Sequence, residues 1–190
     1  MSNRIVGGVI AAIIVVVGGA ILILSDKPEP VKDKTDKPAA ASPHTPPPAA
    51  TYIALDACEL FTEAEAKAIL GAAATKGPST DSTRTNDLKV SNCSYTNNAT
   101  IVKDIRTITV VVRGPLTETG AKSNKTVFGA GKPVGTETVS GYGTEAYYVK
   151  ATGQFNILKD DNWIMITSGS PNPIQHTVAD AKLVADKILN

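Results

Sequence analysis

Apolar and polar side chains alternate most cleanly over residues 106–113. Ile108, Val110 and Val112 fall on one side there, with Thr107, Thr109 and Val111 on the other, which is the two-residue period of a half-buried strand. Residues 90–95 read as a second strand. Residues 134–140, 145–150, 155–159 and 163–167 are four more short runs rich in β-branched and aromatic side chains. Turn chemistry separates them, at Gly141 and Gly143, at Thr152-Gly153 and at Asp160-Asp161-Asn162. Connections this short predict antiparallel neighbours. Elsewhere the period lengthens. Thr62-Glu63-Ala64-Glu65 is a capping box opening a helix that runs to Leu70, with Gly71 as a left-handed stop. Val178, Ala181, Val184, Ala185 and Ile188 recur at helical spacing near the carboxyl end. Residues 116–128, interrupted by Gly120, carry a mixed signal and read as a weak helix or a loop. The pattern predicts an α+β fold: an antiparallel sheet of about five to six strands, covered on one face by amino- and carboxy-terminal helices.

Residues 5–24 break both periods, being 20 residues without a charged or strongly polar side chain. At about 1.5 Å per residue such a helix would be roughly 30 Å long, the thickness of a bilayer's hydrocarbon core. The expectation is a single transmembrane helix after a short cytoplasmic end, residues 1–4, making the lipid bilayer one partner of the chain. A cleaved signal peptide is the alternative, but its usual apolar stretch is shorter, and cutting after Gly18-Gly19-Ala20 would leave Ile-Leu-Ile-Leu at the new terminus. No cysteine directly follows the run, so lipidation there is not expected. Residues 25–50 hold seven of the twelve prolines and alternate Lys with Asp or Glu before turning Ala/Pro-rich. They predict a disordered linker of extended, semi-rigid character. Counting Lys and Arg alone, the positive-inside rule would keep the downstream side in the cytoplasm. The large domain that follows and its cysteine pair argue for the outside instead.

The remaining residues, 51–190, have the size of one domain and carry 14 basic and 14 acidic side chains. This neutrality excludes the electrostatic footprint of a nucleic-acid binder. Cys58 and Cys93 are the two cysteines of the chain, 35 positions apart, so a C-x-x-C redox or zinc site is excluded. Behind an exported anchor they read as a disulfide, with two buried free thiols as the alternative.

Chemistry is sparse. The domain has one histidine, His176, read as a surface or helix-start residue without a patterned partner. The serine-nucleophile, zinc-protease, calcium-loop and Walker motifs are missing from the sequence, and no cofactor or metal ligand set suggests itself. Gly141-x-Gly143-x-x-Ala146 mimics a dinucleotide fingerprint but runs on into Tyr147-Tyr148-Val149, a strand and not a helix. The aromatic set Tyr142, Tyr147, Tyr148 and Trp163 is the candidate ligand groove, weighed against ordinary cross-strand packing.

The string from Ala57 to Glu65 (Ala-Cys-Glu-Leu-Phe-Thr-Glu-Ala-Glu), closing on Ile69-Leu70-Gly71, resembles the start of a domain family of unknown function found in extracytoplasmic bacterial, mostly actinobacterial, lipoproteins. Cys93-Ser94-Tyr95 resembles that family's later C-x-Y, and Gly141-Tyr142-Gly143-Thr144-Glu145-Ala146-Tyr147 its glycine-rich strand entry. The resemblance implies an extracytoplasmic α/β sandwich similar to PsbP-like domains, with Cys58 paired to Cys93 and no assigned chemistry. The chain departs from the family in carrying an apolar helix in place of a lipidation site. The expected function is a membrane-anchored extracytoplasmic binding domain of the bacterial cell envelope, taking a protein, peptide or glycan partner. A structural or accessory subunit of an envelope complex is the second reading. A hydrolase built on carboxylates outside known motifs is the third, and it would need two inward carboxylates about 5–10 Å apart in a cleft.

Overall fold

The computed structural model describes residues 50–79, 83–172 and 175–189. The expected transmembrane helix at 5–24 and all but the last residue of the linker at 25–50 lie outside them. Among the described residues, no helix is long and apolar enough to cross a membrane.

The alternating strand expected over residues 106–113 is β4, Thr107–Pro115, and Ile108, Val110 and Val112 are fully buried as the pattern requires. Preceding it is β3, Leu88–Thr96. Following it are β6, Glu145–Val149, β7, Gln154–Lys159, and β8, Asn162–Gly169. Three two-residue strands complete the set: β1, Thr75–Lys76, β2, Thr83–Arg84, and β5, Glu137–Thr138. All pairings are antiparallel, in the order β1-β3-β4-β8-β7-β6-β5, with β2 also on β3. Among the described residues, eight strands therefore stand where five to six were expected. The surplus lies in two-residue pieces at the sheet edges, which pair through backbone groups and need no apolar alternation. The run expected at 134–140 shrinks to β5, because Val134 is fully exposed and Gly135 turns the chain at φ +83°.

One face of the sheet carries two continuous apolar rows. Cys93, Val110, Ile166, Phe155 and Tyr148 stand opposite one another across five strands, and Val112, Ile164, Ile157 and Ala146 form the next row. Against these rows pack α1, Ala57–Leu60, α2, Glu63–Leu70, and α4, Val178–Leu189. The stripe expected on α4 is the one used: Ala181, Val184 and Ala185 are fully buried, flanked by Val178 and Ile188. The capping box of α2 is present in full, with Thr62 accepting from Glu65 N–H and the Glu65 carboxylate accepting from Thr62 N–H. Gly71 ends the helix with φ +96° and ψ 164°, an extended glycine conformation and not the left-handed stop expected.

The opposite face is covered too, which the sequence reading missed. Residues 116–128 are no loop. They contain most of α3, Glu118–Ala130, whose buried positions are Gly120, Ala121, Asn124 and Phe128. That spacing is helical, but Gly, Ala and Asn hide it from any hydrophobicity count. Gly120 and Asn124 each have a packing reason. A Cβ on Gly120 would collide with the Asp87 carbonyl, and Asn124 Nδ2 donates to the Arg113 and Asp161 carbonyls at 2.7 and 2.8 Å, tying α3 to β4 and to the β7–β8 turn. Helices thus cover both faces of the sheet.

Candidate functional site

Asp56 caps α1, accepting from Cys58 N–H at 2.9 Å, and Ala57 N–H donates to Ser91 Oγ on β3 at 2.9 Å. These contacts set Cys58 directly over Cys93. The Cα atoms are 5.1 Å apart and the Sγ atoms 2.14 Å, so the cysteines form a bonded pair. Cys58 lies within α1, a separate turn ahead of α2, so the bridge pins the start of the helical layer to the middle of β3, the last long strand at that side of the sheet. Tyr95, two residues on along the same face, donates from its hydroxyl to the Phe61 carbonyl at 3.0 Å, and its ring meets Phe61 edge-on at 5.6 Å. Burial raises the pKa of this phenol, so it stays a donor across the physiological range.

Asp56 also pairs with Lys89 at 2.9 Å, and this hydrogen-bonded ion pair, outweighing partial burial, holds its carboxyl below the usual value. A group with a depressed folded-state pKa stabilises the fold above its unfolded pKa, near 3.8, and that contribution fades as pH falls toward the lower folded value. Asp56→Asn should therefore lower stability at neutral pH by about 1 kcal/mol while leaving stability near pH 2 almost unchanged. Urea unfolding at both pH values checks this, and an equal loss at both would contradict it.

The four aromatic residues read as a candidate groove do not share a face. Tyr147 and Trp163 lie on the α3 side. There the Phe128 ring lies tilted at 4.8 Å from Tyr147 and edge-on at 6.1 Å from Trp163, while Trp163 Nε1 donates to Asn156 Oδ1 at 3.0 Å. Tyr148, one residue along β6, points to the other face and belongs to the main core. Tyr142 sits on that second side as well, edge-on to Phe155 at 5.2 Å, with its hydroxyl donating to Asp186 of α4 at 2.9 Å. Burial first, and then the Asp186 carboxylate, push its pKa up. The turn before β6 is as expected, with Gly141 and Gly143 at φ +89° and +60°. Gly143 is obligatory, because a Cβ there would meet the Leu158 carbonyl.

Of the four, Tyr142 lines an open cavity, of about 480 Å³, between this turn and the second half of α4. Lys182 stands 5.9 Å above the Tyr142 ring, and Lys159 donates to the Leu189 carbonyl at the end of the helix. Both cations are thus partly engaged in holding α4 to the sheet. A second cleft, of about 330 Å³, opens at the other end of α4 between Leu70, Ser170, Leu183 and Arg106. Arg106 was visible in the sequence as the residue flanking the clearest strand, but no local signal marked it as a site residue. A third hollow, of about 390 Å³, lies where the chain enters the domain, between Tyr52, Ile53 and the Asp160-Asp161 turn of β7–β8. Asp161 is paired there with Lys125 at 2.7 Å.

His176 is half-buried and stands at the start of α4, directly before Thr177, whose hydroxyl accepts from Asp180 N–H. Its ring fills the space left by two glycines, Gly153 and Gly169, and Nε2 is hydrogen-bonded to the Ser170 carbonyl. It therefore locks the approach to α4 against the β6–β7 turn and the end of β8. Among the described residues, no group of three His, Cys, Asp or Glu side chains stands close enough to hold a metal ion. Compared with protein families, curated proteins and solved structures, the chain matches none, so its functional reading rests on its own residues.

Proposed function

We propose that the chain is a single-pass protein of the bacterial cell envelope, whose domain 51–190 stands outside the cytoplasm on the linker 25–50 and binds a protein, peptide or glycan. The observation that carries this is the bonded pair Cys58–Cys93. Such bridges persist in oxidising compartments, and here the bridge follows an apolar run long enough for a bilayer. A binding role is supported by the clefts at the two ends of α4, each combining apolar lining with fixed charge. Membership of the envelope-domain family belongs to the same proposal, and the cysteine pairing that the resemblance implies agrees with it. The second reading, an accessory subunit of an envelope complex, differs in needing the anchor for partner contact, so deletion of residues 1–24 would abolish the interaction.

Mass mapping of protein from intact cells, with and without reductant and after external protease, tests the topology. The expected result is a Cys58–Cys93 linked peptide together with loss of 51–190 to the protease. A protected domain with alkylatable thiols would overturn the proposal.

A further inference from the structure

The chain enters the domain at one end of the sheet. Asn162, the first residue of β8, accepts from Leu55 N–H through Oδ1 and donates through Nδ2 to the Ile53 carbonyl, both at 3.1 Å. Ala54 meanwhile packs against Gly114 near the end of β4, where a Cβ would not fit. The cleft at Arg106 lies at the opposite end, beside Ser168, Gly169 and Ser170, where β8 finishes. With β4 and β8 in register from Arg113↔Trp163 to Thr107↔Gly169, the two ends are about 20 Å apart. The cleft thus lies at the end of the sheet remote from residues 53–55.

The cleft combines two chemistries. Ile69 and Leu70 of α2 and Leu183 of α4 supply an apolar wall, and Leu183 is 55% exposed although it lies on a helix with a well-packed inner stripe. Arg106 supplies a cation whose position is fixed. Its Nη1 donates to the Lys103 and Ile105 carbonyls, each at 3.0 Å, and Asn97 Oδ1 accepts from Arg106 N–H at 2.9 Å while Asn97 Nδ2 donates to the Asp104 carbonyl. Among the described residues Nε and Nη2 make no hydrogen bond, which leaves them for a ligand. The acid of the cleft, Asp180, is held by Thr177 Oγ1 at 2.6 Å, outside ion-pair reach of Arg106 among the described residues. A guanidinium fixed by two neighbouring backbone carbonyls pairs best with a planar carboxylate, through parallel N–H···O bonds.

We propose that this cleft binds the free carboxyl terminus of a peptide ending in an aliphatic residue, the carboxylate on Arg106 and the side chain against Ile69, Leu70 and Leu183. The volume, about 330 Å³, is at the lower limit of small-ligand sites and suits the last residues of a chain better than a folded surface. The assignment rests on the binding-domain reading above and names the ligand class for it.

The test is a methyl NMR titration of the full chain in detergent micelles with Ala-Ala-Leu as the free acid, the same peptide as its amide, and free leucine. The expected result is that the acid shifts the Ile69, Leu70 and Leu183 methyl signals, while the amide binds about tenfold more weakly. Arg106→Gln should remove the preference for the acid. Arg106→Lys, which keeps the charge without the fork, should retain part of it. Leu183→Glu, on an exposed position that leaves the fold intact, should weaken binding of the acid by at least about tenfold through charge repulsion. Leucine binding as tightly as the peptide would support the same chemistry with a free amino acid as its source. Equal shifts from acid and amide, or an unaltered acid preference in Arg106→Gln with a native Leu183→Glu profile, would overturn the assignment. Because detergent-solubilised protein reports binding whatever its original topology, a negative titration sinks the cleft alone. A failed protease experiment sinks the envelope reading alone.

Discussion

Replacing both Cys58 and Cys93 with alanine lowers the unfolding free energy by about 4 kcal/mol, the chain-entropy value for a crosslink spanning a separation of 35 residues. For a domain of this size the expected fall in Tm is roughly 10–20 °C. The effect is large because of where the bridge sits. It joins the first turn of the helical layer to β3, and its sulfur on Cys93 ends the apolar row through Val110, Ile166, Phe155 and Tyr148. Cys93 is fully buried, so cutting the bond also leaves a packing defect at the end of that row. Thermal unfolding with and without reductant, in the wild type and the double variant, checks the prediction. The variant should be indifferent to reductant and should melt no higher than the reduced wild type. A Tm within about 2 °C of the oxidised wild type would show that the bridge constrains nothing the core does not already hold.

Phe128→Ala should cost about 3–5 kcal/mol, close to the loss of the bridge, although it lies on the other face of the sheet. Phe128 is 1% exposed and is the large apolar side chain that α3 contributes to the second cluster, with Tyr147, Val149 and Leu158 around it and Trp163 packed at the side. The other buried positions of α3 are Gly120, Ala121 and Asn124, which supply close approach and hydrogen bonds but little apolar area. Truncation of the ring therefore leaves α3 with almost nothing to replace it. The single tryptophan of the chain is the reporter, because Trp163 meets the Phe128 ring edge-on. Its emission should shift to the red in the folded variant, and urea unfolding followed at that signal gives the free energy. A blue, unshifted emission with wild-type stability would mean that α3 is held by its capping contacts, Thr117 to Asp87 and Asn124 to the two carbonyls, more than by its aromatic anchor.

The contrast between these two positions shows how unevenly the fold could be read from residues in order. Where one face is buried and side chains are apolar, local pattern and tertiary environment ask for the same thing. β4, β8 and the inner stripe of α4 accordingly stand where alternation and helical spacing put them. Helix α3 was obscure because its contact face is built from glycine, alanine and asparagine, chosen for close approach and for satisfying carbonyls. The edge strands β1 and β2 were equally obscure, and β5 was expected only as a longer run. Two residues paired through backbone groups leave no side-chain period to find.

The candidate site divides in the same way. Tyr147 and Tyr148 are adjacent, so in a strand they must face opposite sides, and a groove using both was closed by the pleat itself. Tyr142 reached a cavity because the Gly141–Gly143 turn swings it over Phe155 toward α4. Arg106, Leu70 and Leu183 lie far apart in the sequence and carry no motif. Their cleft exists because β4 pairs with β8 and α4 returns across that pair.

Residue order alone sets the elements whose stability is local or periodic: the capped start of α2, the alternation of β4, the apolar stripe of α4 and the cysteines available for pairing. Each follows from backbone geometry acting over a few residues. It takes the folded chain to place Val110 opposite Ile166, to close the second face with a weakly apolar helix, and to bring a fixed arginine to an apolar wall at the far end of the sheet. Those outcomes depend on contacts between segments tens of residues apart. Their free energy comes from shared burial and from satisfying backbone groups, neither of which a local stretch of chain carries on its own.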